Sequence, residues 1–174
     1  MNKPVEMKAL KELMVDQAAL AARLRKETSG EVMTDSASRG RYATDASIYQ
    51  AMPVAVFVPK TAQDIASAIE IAADMGVPVL PRGGGTSQCG QTTGAALVID
   101  NTKYFRNVLD LNLDKGYVEV EPGIVLDHLN GSLKQHGLWY PVDVSTAGQA
   151  TIGGMAGNNS LSKPDNAFFK VFLR

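Results

Sequence analysis

Val77-Pro78-Val79-Leu80-Pro81-Arg82-Gly83-Gly84-Gly85-Thr86-Ser87 is the stretch on which the reading of this chain turns. Residues 77–80 have the length and apolar composition of a buried strand. The three glycines that follow leave the backbone free to take positive φ, and remove every Cβ that would hold a ligand away. Backbone N–H groups in such a turn can converge on an anion as a nest. Thr86 and Ser87 add hydroxyl donors, and Arg82 adds a fixed positive charge. That chemistry suits a phosphate, and a pyrophosphate best. Two familiar phosphate motifs do not fit. No Gly-Lys is followed by Ser or Thr, as the P-loop requires. Counted from Gly83, the sixth position of a dinucleotide fingerprint falls on Gln88, and residues 89–94 read as loop rather than helix. A tight glycine turn between two strands explains the same residues.

Residues 141–159 form a second constellation, Pro-Val-Asp-Val-Ser-Thr-Ala-Gly-Gln-Ala-Thr-Ile-Gly-Gly-Met-Ala-Gly-Asn-Asn. Small residues dominate, with hydroxyls at Ser145, Thr146 and Thr151 and side-chain amides at Asn158 and Asn159. Gly153, Gly154 and Gly157 would allow a backbone to approach a flat ring closely. A flexible glycine-rich loop is the plainer alternative.

In this order and separation the two loops resemble the flavin-binding (PCMH-type) domain of the vanillyl-alcohol oxidase and p-cresol methylhydroxylase superfamily. Within it they are most similar to FAD-linked oxidases of the D-lactate dehydrogenase and glycolate oxidase type. The resemblance also takes in Tyr42-Ala43-Thr44-Asp45-Ala46-Ser47, the run Ala55-Val56-Phe57-Val58-Pro59, a helix opened by Thr61, and Ala150-Thr151-Ile152-Gly153-Gly154. It implies an α+β fold, the N-terminal part of a PCMH-type domain made of two α/β subdomains and preceded by a helix. It further implies that Pro81, Arg82, Gly83, Gly84, Gly85, Thr86 and Ser87 hold the FAD pyrophosphate. Pro141, Asp143, Ser145, Thr151, Gly153, Gly154 and Asn158 would lie along the flavin and its ribityl chain. Some members attach the flavin through a His in the first loop. Thr86 stands at that position here, so FAD is expected to bind noncovalently. The implied reaction takes hydride from a 2-hydroxy acid such as D-lactate or glycolate to the flavin, with substrate and electron acceptor left open. The alternative is a noncatalytic remnant that keeps the fold without the activity.

Charge and composition narrow the partners. With 17 Lys and Arg against 18 Asp and Glu, the formal net charge is −1, which argues against a nucleic-acid partner held by a basic field. Polar and charged residues interrupt the first twenty positions, so neither a secretory signal nor a membrane span is read there. Cys89 is the only cysteine; it excludes an internal disulfide and suits a reducing, cytoplasmic setting. It reads as a small buried hydrophobe rather than a redox thiol. His128 and His136 read as surface or capping residues, and no metal site is expected. Trp139 and Tyr140 read as core or loop packing.

Three segments are expected: a helix and linker over 1–47, the FAD-binding domain over 48–160, and a tail over 161–174. Helical spacing of apolar residues covers 5–27, and residues 28–47 show no clear period. Thr61 with Asp64 resembles a capping box; Ile65, Ile69 and Ala72 mark a buried face, and Gly76 ends the helix. Strand, helix and strand then give a crossover with a parallel pair. Residues 95–100 and 117–121 read as further strands. Val125, Leu129 and Leu133 suggest a helix, weakened by Gly131 and stopped by Gly137. The apolar tail, with Phe168, Phe169, Val171, Phe172 and Leu173, carries no family motif. It reads as the end of a truncated or frameshifted product, or of a fragment of a longer gene, whose catalytic residues lie beyond 174 and whose exposed apolar surface favours self-association.

Overall fold

The computed structural model describes residues 16–160 and 170–173. Helix α1 (Gln17–Glu27) starts at Asp16, whose side chain accepts from the Ala19 N–H at 2.9 Å. Leu20, Ala21 and Leu24 form its buried face, as the spacing predicts; the expected earlier start, over 5–15, lies outside the described residues. Residues 28–47, which show no period, contain strand β1 (Glu31–Met33) and a short helix α2 (Ser36–Gly40). β1 is three residues long and only partly buried, too little for an alternating pattern to register.

Strands β1, β2 (Ala55–Val58), β3 (Val79–Arg82) and β4 (Leu97–Asp100) form one sheet in the order β1-β2-β4-β3. β1 is antiparallel to β2, while β2, β4 and β3 run parallel. Every residue of β2 and β4 is buried, which suits strands covered on both faces. The expected pairing of the strands on either side of the intervening helix is corrected here: they are parallel, but β4 lies between them. Residues 77–80 are not a fully buried strand either. The strand is Val79–Arg82, half-buried at the sheet edge, where Pro81 sacrifices no ladder donor. The apolar run Leu97-Val98-Ile99 takes the centre instead.

Helix α3 (Ala62–Asp74) links β2 to β3 and carries the expected capping box between Thr61 and Asp64. Its buried face differs from the expected one: Asp64, Ala68, Ile71 and Ala72 are buried, and Ile69 is 46% exposed. Leu20 and Leu24 of α1 pack with Ala68, Ile71 and Ala72 of α3 against Ala55, Phe57, Leu97 and Ile99 of the sheet.

A second core gathers around strands β5 (Val108–Asn112), β6 (Tyr117–Val120) and β7 (Lys170–Leu173), in the order β5-β6-β7. Helix α4 (Leu126–Lys134) buries Leu126, Leu129 and Leu133 against Val118 and Val120. Val125 caps α4 rather than lying in its stripe, and Gly137 takes φ +69° beyond its end. Helix α5 (Ile152–Gly157) adds Ile152 and Met155. Tyr140 packs on this core, but Trp139 is 61% exposed, against expectation. β7 gives part of the apolar tail a place beside β6. The result is two α/β units, each with its own core, that meet along the loops after β3 and before α5.

Candidate functional site

A cavity of about 510 Å3 is lined by residues from both units. It lies at the carboxyl ends of the parallel strands β3 and β4, the usual place for a ligand in an open α/β sheet. All of residues 81–87 line it, as do Thr151, Gly153, Gly154 and Asn158. Pro141, Asp143 and Ser145 do not; Val144 and Thr146, their neighbours, take the lining positions. Sequence reading also missed Gln91, Asn101, Pro122 and Met155 in the wall. Only Asn101 carried a signal, as the first residue beyond the carboxyl end of a parallel strand. Its Oδ1 is buried and accepts no hydrogen bond from a described residue.

The loop after β3 leaves its donors open. The backbone N–H groups of residues 83–88 donate to no described residue, and the first amide past them, that of Cys89, reaches Ser87 Oγ at 3.2 Å. Buried backbone donors are nearly always paired, so a run of open ones beside a cavity marks a surface made for solvent or for an anion. Of the three glycines only Gly85 takes positive φ, at +65°. Gly83 and Gly84 serve another purpose. A Cβ on Gly83 would strike Thr151 Oγ1, and one on Gly84 would strike the Gln149 carbonyl oxygen. These glycines let the loops of the two units close on each other.

Arg82 is held from within the protein. Nη1 donates to the Thr92 carbonyl and Nη2 to the Thr44 carbonyl, each at 3.0 Å. The guanidinium lies 5.6 Å from the centre of the Tyr42 ring, within cation–π range, and fills the space a side chain at Gly85 would need. Tyr42 donates its hydroxyl to Asp100 Oδ2 at 2.7 Å. Burial, reinforced by Asp100, pushes that hydroxyl far above the usual phenol range, so it stays a donor. Asp100 Oδ1 accepts from the Thr102 N–H and hydroxyl at 2.8 and 2.7 Å. Asp45 accepts from the Ser47 N–H at 2.8 Å and the Thr92 hydroxyl at 3.1 Å. Burial pushes the Asp45 carboxyl up, but these bonds outweigh it and the net shift is downward. The Tyr42–Ser47 segment thus forms the support beneath the glycine loop.

On the facing side, buried Thr151 caps α5 by accepting from the Gly154 N–H at 3.2 Å. At the rim, Gln91 bonds Ser87 through its carbonyl oxygen and donates from Nε2 to Asn158 Oδ1 at 3.0 Å, tying the two loops together. Cys89 is exposed, not buried, because it sits at the tip of the loop. His128 and His136 are exposed and outside the cavity wall. Arg82 is the only ionisable residue among the described residues of the wall, and no cluster of metal-ligating side chains occurs among the described residues. No helix among them is long and apolar enough to cross a membrane.

Similarity to known proteins gives the family. The sequence profile of a family described as "FAD binding domain" matches residues 53–166, six residues further than Ser160, where the resemblance was expected to stop. The D-2-hydroxyglutarate dehydrogenase of Pseudomonas putida is 40% identical over 132 residues, covering 72% of this chain and 13% of that protein. Glycolate oxidase subunit GlcD of Bacillus subtilis is 34% identical over 139 residues, covering 77% of this chain and 29% of that protein. The matched part of the chain therefore spans less than a third of the length of these relatives. Among solved structures, a single-substitution variant of Physcomitrella patens BBE-like 1 superposes with a TM-score of 0.67 at 22% identity, over 79% of this chain and 30% of that one. The 4-ethylphenol oxidase of Gulosibacter chungangensis gives 0.66 at 20%, over 82% and 29%. At those identities the superpositions speak for the fold alone. The family match over most of the chain, together with the relatives, establishes that this chain belongs to the FAD binding domain family of the PCMH type.

Proposed function

We propose that the chain is the FAD-binding module of an oxidoreductase acting on a 2-hydroxy acid, with the pyrophosphate on residues 81–87 and the flavin half along residues 144–158. The observation that carries this reading is the run of amides over 83–88 with no acceptor among the described residues, at the edge of a cavity of ligand size. Neutral donors of this kind satisfy a pyrophosphate without a counter-ion. Leu80, Pro122, Val144 and Met155 add apolar wall, which suits a flat ring. When bound, FAD supplies the redox chemistry and takes up the hydride that leaves the substrate. The chain's part is to bind and orient. Arg82 is committed to two carbonyls, and no other described residue of the wall is ionisable, so the described site carries no base for a hydroxyl proton. A 2-hydroxy acid is the class shared by the substrates in the names of the relatives, D-2-hydroxyglutarate, glycolate and D-lactate. Residues 48–160 are taken as the cofactor-binding unit.

Acid precipitation of the FAD-loaded protein tests the binding mode. Yellow supernatant is expected, because Thr86 replaces the attaching His and neither histidine reaches the cavity; a yellow pellet contradicts noncovalent binding. Turnover of D-lactate, glycolate or D-2-hydroxyglutarate with an artificial electron acceptor is expected at background. Robust turnover would contradict the assignment of this chain to binding alone.

A further inference from the structure

We propose that Arg82 is a positioning residue that shapes the anion loop through the protein, and that its charge is not what binds the pyrophosphate. The inference rests on the FAD assignment above and changes the role of one residue within it. A basic residue beside a glycine-rich phosphate loop is ordinarily taken as a phosphate ligand. Here the guanidinium has other commitments. Its two Nη groups donate to the Thr92 and Thr44 carbonyls, which belong to segments 48 residues apart in the chain. The ring of Tyr42 lies 5.6 Å away and is itself fixed by Asp100, which pairs with Arg82 in the β3–β4 register. The guanidinium also fills the side-chain position of Gly85, the one residue of the loop with positive φ.

Each of these contacts uses planarity or the forked donor set, and none uses charge alone. A planar fork can hold two separate carbonyls beside an aromatic ring; an ammonium is a point charge on a flexible stem and cannot reproduce that set. The loop amides at 83–88, which donate to no described residue, are thereby aimed by a neighbour whose guanidinium packs at Gly85 and is tied to two carbonyls. Their preorganisation, rather than a coulombic contact, supplies the affinity.

The test compares Arg82→Lys and Arg82→Met in the full 174-residue chain, reading affinity for FAD, ADP and riboflavin by titration. Positioning predicts that both variants lose about tenfold or more for FAD and ADP, because the forked pair of bonds to two separate carbonyls is lost in each. Riboflavin, which has no pyrophosphate, should change by less than about twofold. An equal loss for riboflavin would mean general unfolding and overturn the inference. Arg82→Lys binding FAD and ADP like the parent, with Arg82→Met weakened, would assign the role to charge and overturn it as well. If the parent itself binds neither FAD nor ADP, the cofactor assignment fails on its own account. The inference is then decided by nitrogen-15 order parameters of the ligand-free chain. Values at residues 83–87 should fall from about 0.85 to below about 0.6 in Arg82→Lys, while those of β2 and β4 stay unchanged. Unchanged loop values would overturn it.

Discussion

Gly84 has no room for a side chain, and the reason lies in the facing loop rather than in a ligand. A Cβ there would overlap the Gln149 carbonyl oxygen, and Gly84 itself needs no positive φ. Gly84→Val should therefore push the segment before α5 away from the glycine loop and open the cavity between them. Overpacking of this kind costs about 1–3 kcal/mol, so the fold should survive at a lower Tm while FAD affinity drops by about tenfold or more. Cys89→Ser, at an exposed tip, should change neither. Flavin fluorescence titration of both variants checks the pair; Gly84→Val binding as the parent does would contradict the loop contact. The residue types at this site were legible because glycine, threonine and arginine in this order carry their chemistry in the sequence. Their partners were not. Nothing in Pro81-Arg82-Gly83 says that the guanidinium turns to Thr44 and Thr92, contacts that only the fold creates.

At the scale of elements, Asp64 joins three segments. It sits at N3 of α3, where it accepts from the Thr61 and Lys60 N–H groups at 3.0 and 2.9 Å and from the Ser29 N–H and hydroxyl at 2.8 and 2.9 Å. Burial pushes its carboxyl up, but the bonds from Ser29, Lys60 and Thr61 more than offset this and hold it below the usual range. A folded-state pKa below the unfolded one contributes stability in full above the unfolded value and loses it as pH falls through the folded value. Chemical denaturation from pH 7 down to about pH 3 should show that loss in the parent and a flatter acid limb in Asp64→Asn. At neutral pH the variant should be less stable by about 2–3 kcal/mol, since an amide NH2 then faces backbone donors. An unchanged acid limb would contradict this assignment.

The capping box at Thr61 and Asp64 was readable because it is local. The buried stripe of α3 was not, since a helix with apolar or small residues at 62, 65, 66, 68, 69, 71, 72 and 73 leaves its orientation to the sheet beneath it. β5 was hidden for a related reason: Val108 and Leu109 are exposed, and a register shift between Val108 and Asp110 breaks the alternation. α5 reads as loop by propensity, with three glycines in six residues. Its Thr151 cap and the burial of Ile152 and Met155 override that preference.

For the whole molecule, two cores set the two halves of one site. The β1-β2-β4-β3 sheet delivers the glycine loop at the end of β3, and the second core delivers Thr146, Thr151 and Met155 across the cavity. The order of strands could not be read from the chain, because β4, which follows β2 and β3 in sequence, pairs between them. If the open amides after β3 receive the FAD pyrophosphate, titration of nitrogen-15-labelled protein with FAD, followed amide by amide, should move the backbone amides of residues 83–88 most. ADP should move the same set. Saturable FAD binding that leaves these amides in place, or no response of any amide to FAD, would contradict that placement.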